Sequence, residues 1–387
     1  MSLAVSDFRL PEQLPEYRAA LARFIAQEGR ALAEETEQAR ALPSRLFPVL
    51  ARAGLLGLTF PREFGGAGLS PTQYAPLLEE VAHASGAIRL VVHMSNWVSS
   101  GAIVRDGTDE QRRRHLPALA AGEGFIAFAL TEPDTGTGTD IRTSARRGDG
   151  TYYLSGRKHL VSYANVARCT QVVAYTDRAR RGDGISLFLV DHDSPAMTIT
   201  EQPDGMGLHG SFHGVLEFRE TPVPQEKLIG QEGQGLHVAL RMLDVSRGYI
   251  AVSCVGLAQE MLDRSLEFVR QRVTFGKPIA ERQAIQTLLA NMSTEIAAAR
   301  ALAMDTLTRL EQGRFVSADS ARAKLFGLGM VGRVSDMALE VHGGLGYLKG
   351  MSIERHYRDA RALWFEEGSP TVQRLTIARD LLAKKSS

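Results

Sequence analysis

Between Phe125 and about Glu232 the chain is written in short apolar runs of strand length, FIAFAL, TYYLSG, QVVAYT, ISLFLV, MTIT and VLEF, separated by Gly, Asp and Pro. Before and after this stretch the apolar residues recur at helical spacing instead. The order helix, sheet, helix, without alternation, excludes a doubly wound parallel sheet and predicts an α+β multidomain fold. We place an N-terminal α-helical domain at 1–122, a middle β domain of barrel or sandwich type at 123–233, and a C-terminal antiparallel helix bundle at 234–387.

Local punctuation refines this. Ser44 is placed to cap a helix that carries Leu46, Phe47 and Leu50 and ends near Gly54, and Thr108 with Gln111 forms a capping box. RRGDGTYY reads as a hairpin turn. Breaks at TFGKPIA, EQGRF and HGGLGYLKG divide the last third into about four helices.

Lys plus Arg at 45 against Asp plus Glu at 44 leaves a net charge of +1, so the chain has no field that would hold nucleic acid or an anionic bilayer. The runs QRRRH (111–115) and RARR (178–181) read as solvated faces. Cys169 and Cys254 stand far apart and outside any CxxC, which fits a reducing compartment without disulfides or zinc. MSLAVSDFRLPEQ lacks the features of a leader, and no run approaches eighteen apolar residues, so the expectation is a cytoplasmic protein with no membrane span.

Two motifs dissolve in context. GLGMVG (327–332) matches GxGxxG, but SADSARAKLF ahead of it has helical period, so its glycines are read as helix-packing positions and not as a dinucleotide turn. His209 and His213 lie among strands without a third ligand, and no metal site is expected. There is no GxSxG, Walker A loop or HExxH.

Three stretches carry the remaining signal. FALTEPDTGTGTD (128–140) follows a strand and can present N–H groups and hydroxyls to a polar heterocycle or phosphate. RQRVTFGKPIAERQ (270–283) offers a guanidinium fork at Arg272 and an aromatic face at Phe275. HGGLGYLKG (342–350) and WFEEGSPTVQR (364–374) place paired glycines, and then paired glutamates, near the C-terminus.

TEP…D, GRKHLVS, RQRVTFGKPI..RQ, EVHGGLGY and EEGSPTVQR occur in the order and spacing of the acyl-CoA dehydrogenase family, which the chain resembles from about residue 10 to its end. The resemblance implies a helical domain, a middle β-barrel and a C-terminal four-helix bundle. It implies FAD as cofactor and conversion of an acyl-CoA to a trans-2-enoyl-CoA, with an electron-transfer flavoprotein as acceptor and a homodimer or homotetramer as the assembly. A carboxylate base takes the α-proton from a site whose dryness raises its pKa, and flavin N5 receives the hydride.

By the same resemblance the base falls on Glu367, since it directly precedes a Gly-Ser pair, and Glu366 stands beside it. Phe128, Leu130 and Thr131 would contact the isoalloxazine, Thr139 the cofactor or the pantetheine arm, and Leu160, Val161 and Ser162 the flavin near N5. Asp244 and Arg247 would contact substrate. Arg272, Phe275, Gln283, Glu340, Gly343 and Gly344 would reach the FAD of a neighbouring subunit, and Gly368, Ser369 and Thr371 would complete the site. Trp364 and Phe365 are expected to keep it dry.

Departures from the family pattern leave alternatives open. The TEP loop is two residues longer than usual and Leu160 replaces a common aromatic ring, so an oxygen-reactive member, an acyl-CoA oxidase or flavin monooxygenase, is the second reading; a FAD-binding scaffold without turnover is a third. An acyl carrier protein thioester could replace the CoA thioester. SGAIRLVVHMSNW (85–97) resembles the acyl-pocket lining, where Arg89 would either meet a dicarboxylic acyl chain or, the more ordinary outcome, pair with Glu79 or Glu80 or lie exposed.

Overall fold

The computed structural model describes residues 10, 12–314 and 316–383, so most of MSLAVSDFRLPEQ lies outside the described residues. Seven helices come first: α1 (Leu14–Phe24), α2 (Arg30–Ala39), α3 (Leu46–Arg52), α4 (Pro71–Ala84), α5 (Gly86–His93), α6 (Gly101–Asp106) and α7 (Asp109–Ala120). The expected capping box of Thr108 and Gln111 opens α7. Ser44 does not cap α3: the residue before the helix is Arg45, and no side chain closes that end. Two signals shape α5. Ser85 Oγ accepts the Ala87 N–H at 3.1 Å at its start, and a π-helical turn, Met94–Val98, carries it on.

The middle of the chain forms β1 (Ile126–Ala129), β2 (Ser144–Arg147), β3 (Thr151–Ser162), β4 (Cys169–Tyr175), β5 (Ile185–Asp191), β6 (Met197–Glu201), β7 (His213–Pro224) and β8 (Leu228–Ile229). They join one mixed sheet in the order β6-β7-β3-β2-β4-β5-β8, with β1 parallel to β4. All six apolar runs are strands, and RRGDGTYY is the β2–β3 hairpin. Sequence inspection missed β2 as a separate strand because SARR has no apolar alternation; it is held by its neighbours' backbones.

Five helices and one helical turn follow: α8 (Gly235–Gln271), α9 (Gln283–Glu311), α10 (Ser317–His342), the turn α11 (Gly344–Tyr347), α12 (Ser352–Ala362) and α13 (Pro370–Ala383). Between α8 and α9 a small ribbon pairs β9 (Val273–Thr274) with β10 (Lys277–Pro278). GLGMVG lies inside α10, where a Cβ on Gly327 would stand 3.3 Å from Cys254 Cβ of α8, so the glycine permits the close approach foreseen. One core joins the N-terminal helices, the sheet and the first half of α8; a second lies among α8, α9, α10 and α12. Among the described residues no helix is long and apolar enough to cross a membrane, and no cluster of His, Cys, Asp and Glu could hold a metal.

Glu132, in the TEP loop, is spent on the fold. It is 4% exposed and takes Lys158 Nζ at 2.8 Å together with the N–H groups of Arg142 and Thr143, the latter at 2.9 Å. Lys158 also donates to the Leu130 carbonyl at 3.0 Å, and His159 N–H to that of Thr131 at 3.0 Å. These bonds tie the loop to β3. Glu132→Gln replaces an acceptor facing three donors with an amide and is expected to cost about 2–3 kcal/mol, read as a lower thermal midpoint. An unchanged midpoint would show that the loop is held by other contacts.

Candidate active site

Residues 363–369 turn the chain from α12 into α13, and Pro370 at the first position of α13 suits a helix start. Within the turn Glu367 has φ +55 and Gly368 φ +93. A glutamate in the left-handed region is strained, and such a residue persists only where its surroundings over-determine it. Here they do so through the carbonyls. Lys324 Nζ of α10 donates to the carbonyl oxygens of Glu366 and Gly368, the latter at 2.5 Å. Arg247 Nε of α8 donates to that of Glu367 at 3.1 Å, and the buried Gln373 donates to Glu367 at 3.2 Å and Gly368 at 2.9 Å. Three consecutive carbonyls are thus clamped from three helices.

The clamp sends the two glutamate side chains to different partners. Glu366 meets Arg89 in a bidentate pair, with Nη1 at 2.8 Å and Nη2 at 2.7 Å. Arg89 is therefore neither exposed nor paired with Glu79 or Glu80, which go instead to Arg300 and Arg18. The reason lies in the placement of α5: the Asp359 carboxylate of α12 accepts the N–H of Gly86 at 3.2 Å and of Leu208 at 2.7 Å, which fixes the start of α5 beside α12 and aims Arg89 at the turn. Burial works to raise the Glu366 carboxyl, but Arg89 more than reverses this and holds it below the usual range.

Glu367 turns toward Ser246 of α8, whose nearby hydroxyl favours its ionised form, while its Oε2 is buried without any partner. Burial raises its pKa to about 7; Lys324 pulls the other way, and the Glu366 charge adds to the rise. Lys324, fully buried, is lowered by that burial to about 8 in spite of the two glutamates. His93, one turn beyond Arg89, has Nε2 2.8 Å from Ser246 Oγ; burial, with Arg89 nearby, lowers it to about 3 and keeps the ring neutral. Arg247 carries its own carboxylate, Asp244, at 2.5 Å.

The other foreseen residues divide into two groups. Leu130 and Thr131 are tied next to the Leu160–Ser162 stretch by the loop–β3 bonds described above, Phe128 lies just before them in β1, and Ser162 lies opposite His213 in β7. Leu160 sits at a bulge with φ +53, its N–H on Gln202 Oε1 at 2.8 Å, and is 54% exposed. Tyr163, next along, donates to the Ala87 carbonyl at 3.1 Å and so docks this end of the sheet on α5. Ser369 and Gly368 are in the turn, and Thr371 is exposed at the start of α13. Thr139 is exposed in the long loop, its carbonyl accepting from Tyr175 Oη at 2.7 Å.

The second group lies elsewhere. Arg272, Phe275, Gln283, Glu340, Gly343 and Gly344 are exposed at the opposite end of the bundle, where Phe268 stacks on His342 at 4.4 Å. Phe275 is 96% exposed at φ +50. From Arg247 to Gln271 the helix α8 runs about 36 Å at 1.5 Å per residue, so one chain does not bring these residues to Glu367. Phe365, expected to keep the site dry, is 77% exposed and points away; Trp364 is half-buried with its Nε1 unpartnered. Sequence reasoning missed Lys324 and Gln373. Lys324 could have been found: it shares the face of Ala321, Leu328 and Val331 in the helical period, and a lysine on an apolar face has a buried task.

The site is thus a strained, clamped turn that holds one carboxylate of raised pKa with a buried, unpartnered oxygen among charged groups of three helices. Models of the acyl-CoA dehydrogenase N-terminal, middle and C-terminal domains match residues 11–123, 127–221 and 233–382. The probable acyl-CoA dehydrogenase YngJ of Bacillus subtilis is 35% identical over 378 residues, covering 97% of this chain and 100% of its own. The caffeyl-CoA reductase-Etf complex subunit CarC of Acetobacterium woodii is 31% identical over 91% of this chain and 93% of its own. The butyryl-CoA dehydrogenase structure from Megasphaera elsdenii superposes with a TM-score of 0.91 at 30% identity, covering 97% of this chain and 99% of that one. The chain belongs to the acyl-CoA dehydrogenase family, oxidoreductases that act on CH–CH bonds.

Proposed function

We propose that the protein is a FAD-dependent acyl-thioester dehydrogenase in which Glu367 removes the α-proton. The observation that carries this is the lone buried Oε2 of Glu367 on a turn whose backbone is pinned by Lys324, Arg247 and Gln373. Its raised pKa, about 7, makes the ionised form a strong enough base while a large share remains ionised at neutral pH.

The residues fit a large aromatic cofactor. The hydroxyls of Thr131 and Ser162 bond to no other described group, and the exposed Leu160 of the same strand as Ser162 offers apolar surface. FAD held by Phe128, Leu130, Thr131, Leu160, Val161 and Ser162, with Ser369 and Thr371, would supply the hydride acceptor. The exposed group at Arg272, Phe275, Gln283, Glu340, Gly343 and Gly344 would serve the cofactor of a neighbouring subunit, which its separation of about 36 Å along α8 supports. We read the assembly as a dimer or tetramer and the divisions as 1–122, 123–233 and 234–387. CoA is the proposed carrier of the acyl group, and an electron-transfer flavoprotein the acceptor, as the name of the Acetobacterium relative supports.

Within the chain, Ser246 and His93 stand beside the Glu367 carboxylate, and Arg89 and Lys324 hold the turn. The tightly seated base implies a pH dependence: flavin reduction by acyl-CoA is expected to fall about tenfold per unit below pH 7 and to level off above it, as Glu367 ionises. A stopped-flow rate that does not change from pH 5 to 8 would remove Glu367 from the role.

A second reading, an oxygen-reactive enzyme, draws on the exposed Leu160 where the family carries a ring. Anaerobic mixing of the yellow protein with a panel of acyl-CoA thioesters separates the cases. Rapid bleaching with slow reoxidation in air supports the dehydrogenase, fast peroxide formation the oxidase, and no bleaching with any thioester a scaffold.

A further inference from the structure

Every buried cation around Glu367 already faces a carboxylate of the chain. Arg89, 0% exposed, is held by both oxygens of Glu366; Arg247 is held by Asp244 at 2.5 Å; Lys324 faces Glu366 and Glu367. The guanidinium of Arg89 lies on the α5 wall of the site, one turn from His93, which reaches Ser246 and through it Glu367. Of the two, only Glu366 keeps any exposure, 15% of its side chain. A ligand approaching this wall therefore meets a carboxylate before it meets the guanidinium.

We infer that the Arg89–Glu366 pair is a specificity element that reserves the site for acyl groups without a terminal carboxylate. An unpaired buried guanidinium would recruit a carboxylate, because a planar fork matches it with two charge-assisted hydrogen bonds. In this chain Glu366 fills that fork. An ω-carboxyacyl group would have to displace Glu366 or lie against it, and either leaves like charges together in a dry site. The inference rests on the acyl-thioester reading and names the substrate class for that same pocket.

Pentanoyl-CoA and glutaryl-CoA differ at the chain end only by a methyl against a carboxylate. Their dissociation constants are measured by anaerobic calorimetry on the flavin-loaded protein, so that binding is read whether or not turnover follows. The wild type is expected to bind pentanoyl-CoA at least about 30-fold more tightly. Any apolar pocket would also disfavour glutaryl-CoA, so the decisive arm is Glu366→Gln, in which the amide no longer neutralises Arg89. There the preference is expected to shrink at least about tenfold, and to return in the double variant Arg89→Gln/Glu366→Gln.

Equal affinity for the two thioesters in the wild type would overturn the inference with no variant needed. So would an unchanged ratio in a Glu366→Gln protein that keeps its flavin and its thermal transition. If the charge discrimination holds but no thioester bleaches the flavin, the dehydrogenase reading fails and the specificity element stands. If neither thioester binds, both fall together.

Discussion

Glu367→Gln is expected to retain the yellow cofactor and the fold yet lose flavin reduction by acyl-CoA by roughly 10³-fold or more, the full share of a positioned general base. The amide fits the same space, and the clamp on the turn engages backbone carbonyls, not this side chain. Stability should rise slightly, if it changes at all, because a carboxyl that burial pushes up to about 7 costs free energy to ionise at neutral pH. Comparable reduction rates in the variant, followed by stopped-flow absorbance, would refute the assignment.

Lys324→Met is expected to damage both stability and the pH profile. The ammonium is fully buried and bridges the carbonyls on either side of Glu367, so its removal orphans the Glu366 carbonyl, leaves that of Gly368 to Gln373 alone, and takes from Glu366 and Glu367 their shared counter-charge; about 3–5 kcal/mol is the expected loss. The groups that face Glu367 are Lys324 from α10, Ser246 and Arg247 from α8, Glu366 from the turn, and Arg89 and His93 behind Glu366 from α5. Of these Lys324 is the largest influence favouring ionisation. Without it the base titrates at higher pH, and reduction at pH 7 should fall by up to about tenfold for each unit of displacement and recover in alkali. Lys324→Arg, which keeps the charge, should restore the pH midpoint more than the stability. A variant that is merely less stable, with its pH midpoint unmoved, would reduce Lys324 to a structural role.

Glu366 illustrates how neighbouring residues differ in legibility. The motif EEGSP singled out Glu367 by its place before Gly-Ser and gave Glu366 no task of its own. The bidentate bond to Arg89 changes that expectation, since 277 positions separate the two and no local pattern links them. Gln373 was hidden for a similar reason, since it acts on backbone carbonyls, which carry no sequence signature; Lys324 acts on carbonyls too, but its place on an apolar helix face betrays its burial.

The amino-acid sequence by itself determined the three-part order of helices, sheet and helices, all six apolar strands, the β2–β3 hairpin, the α7 capping box, the helical setting of GLGMVG, and the family through five ordered motifs. These are local matters of periodicity, turn chemistry and residue type, so they can be read in one dimension. Only the tertiary structure decided that Arg89 closes on Glu366, that Glu132 is consumed by Lys158, and that Phe365 faces outward. A charge's partner and a carboxyl's pKa depend on which distant groups are brought within a few ångströms in a dry interior, and that is a property of packing, not of order along the chain.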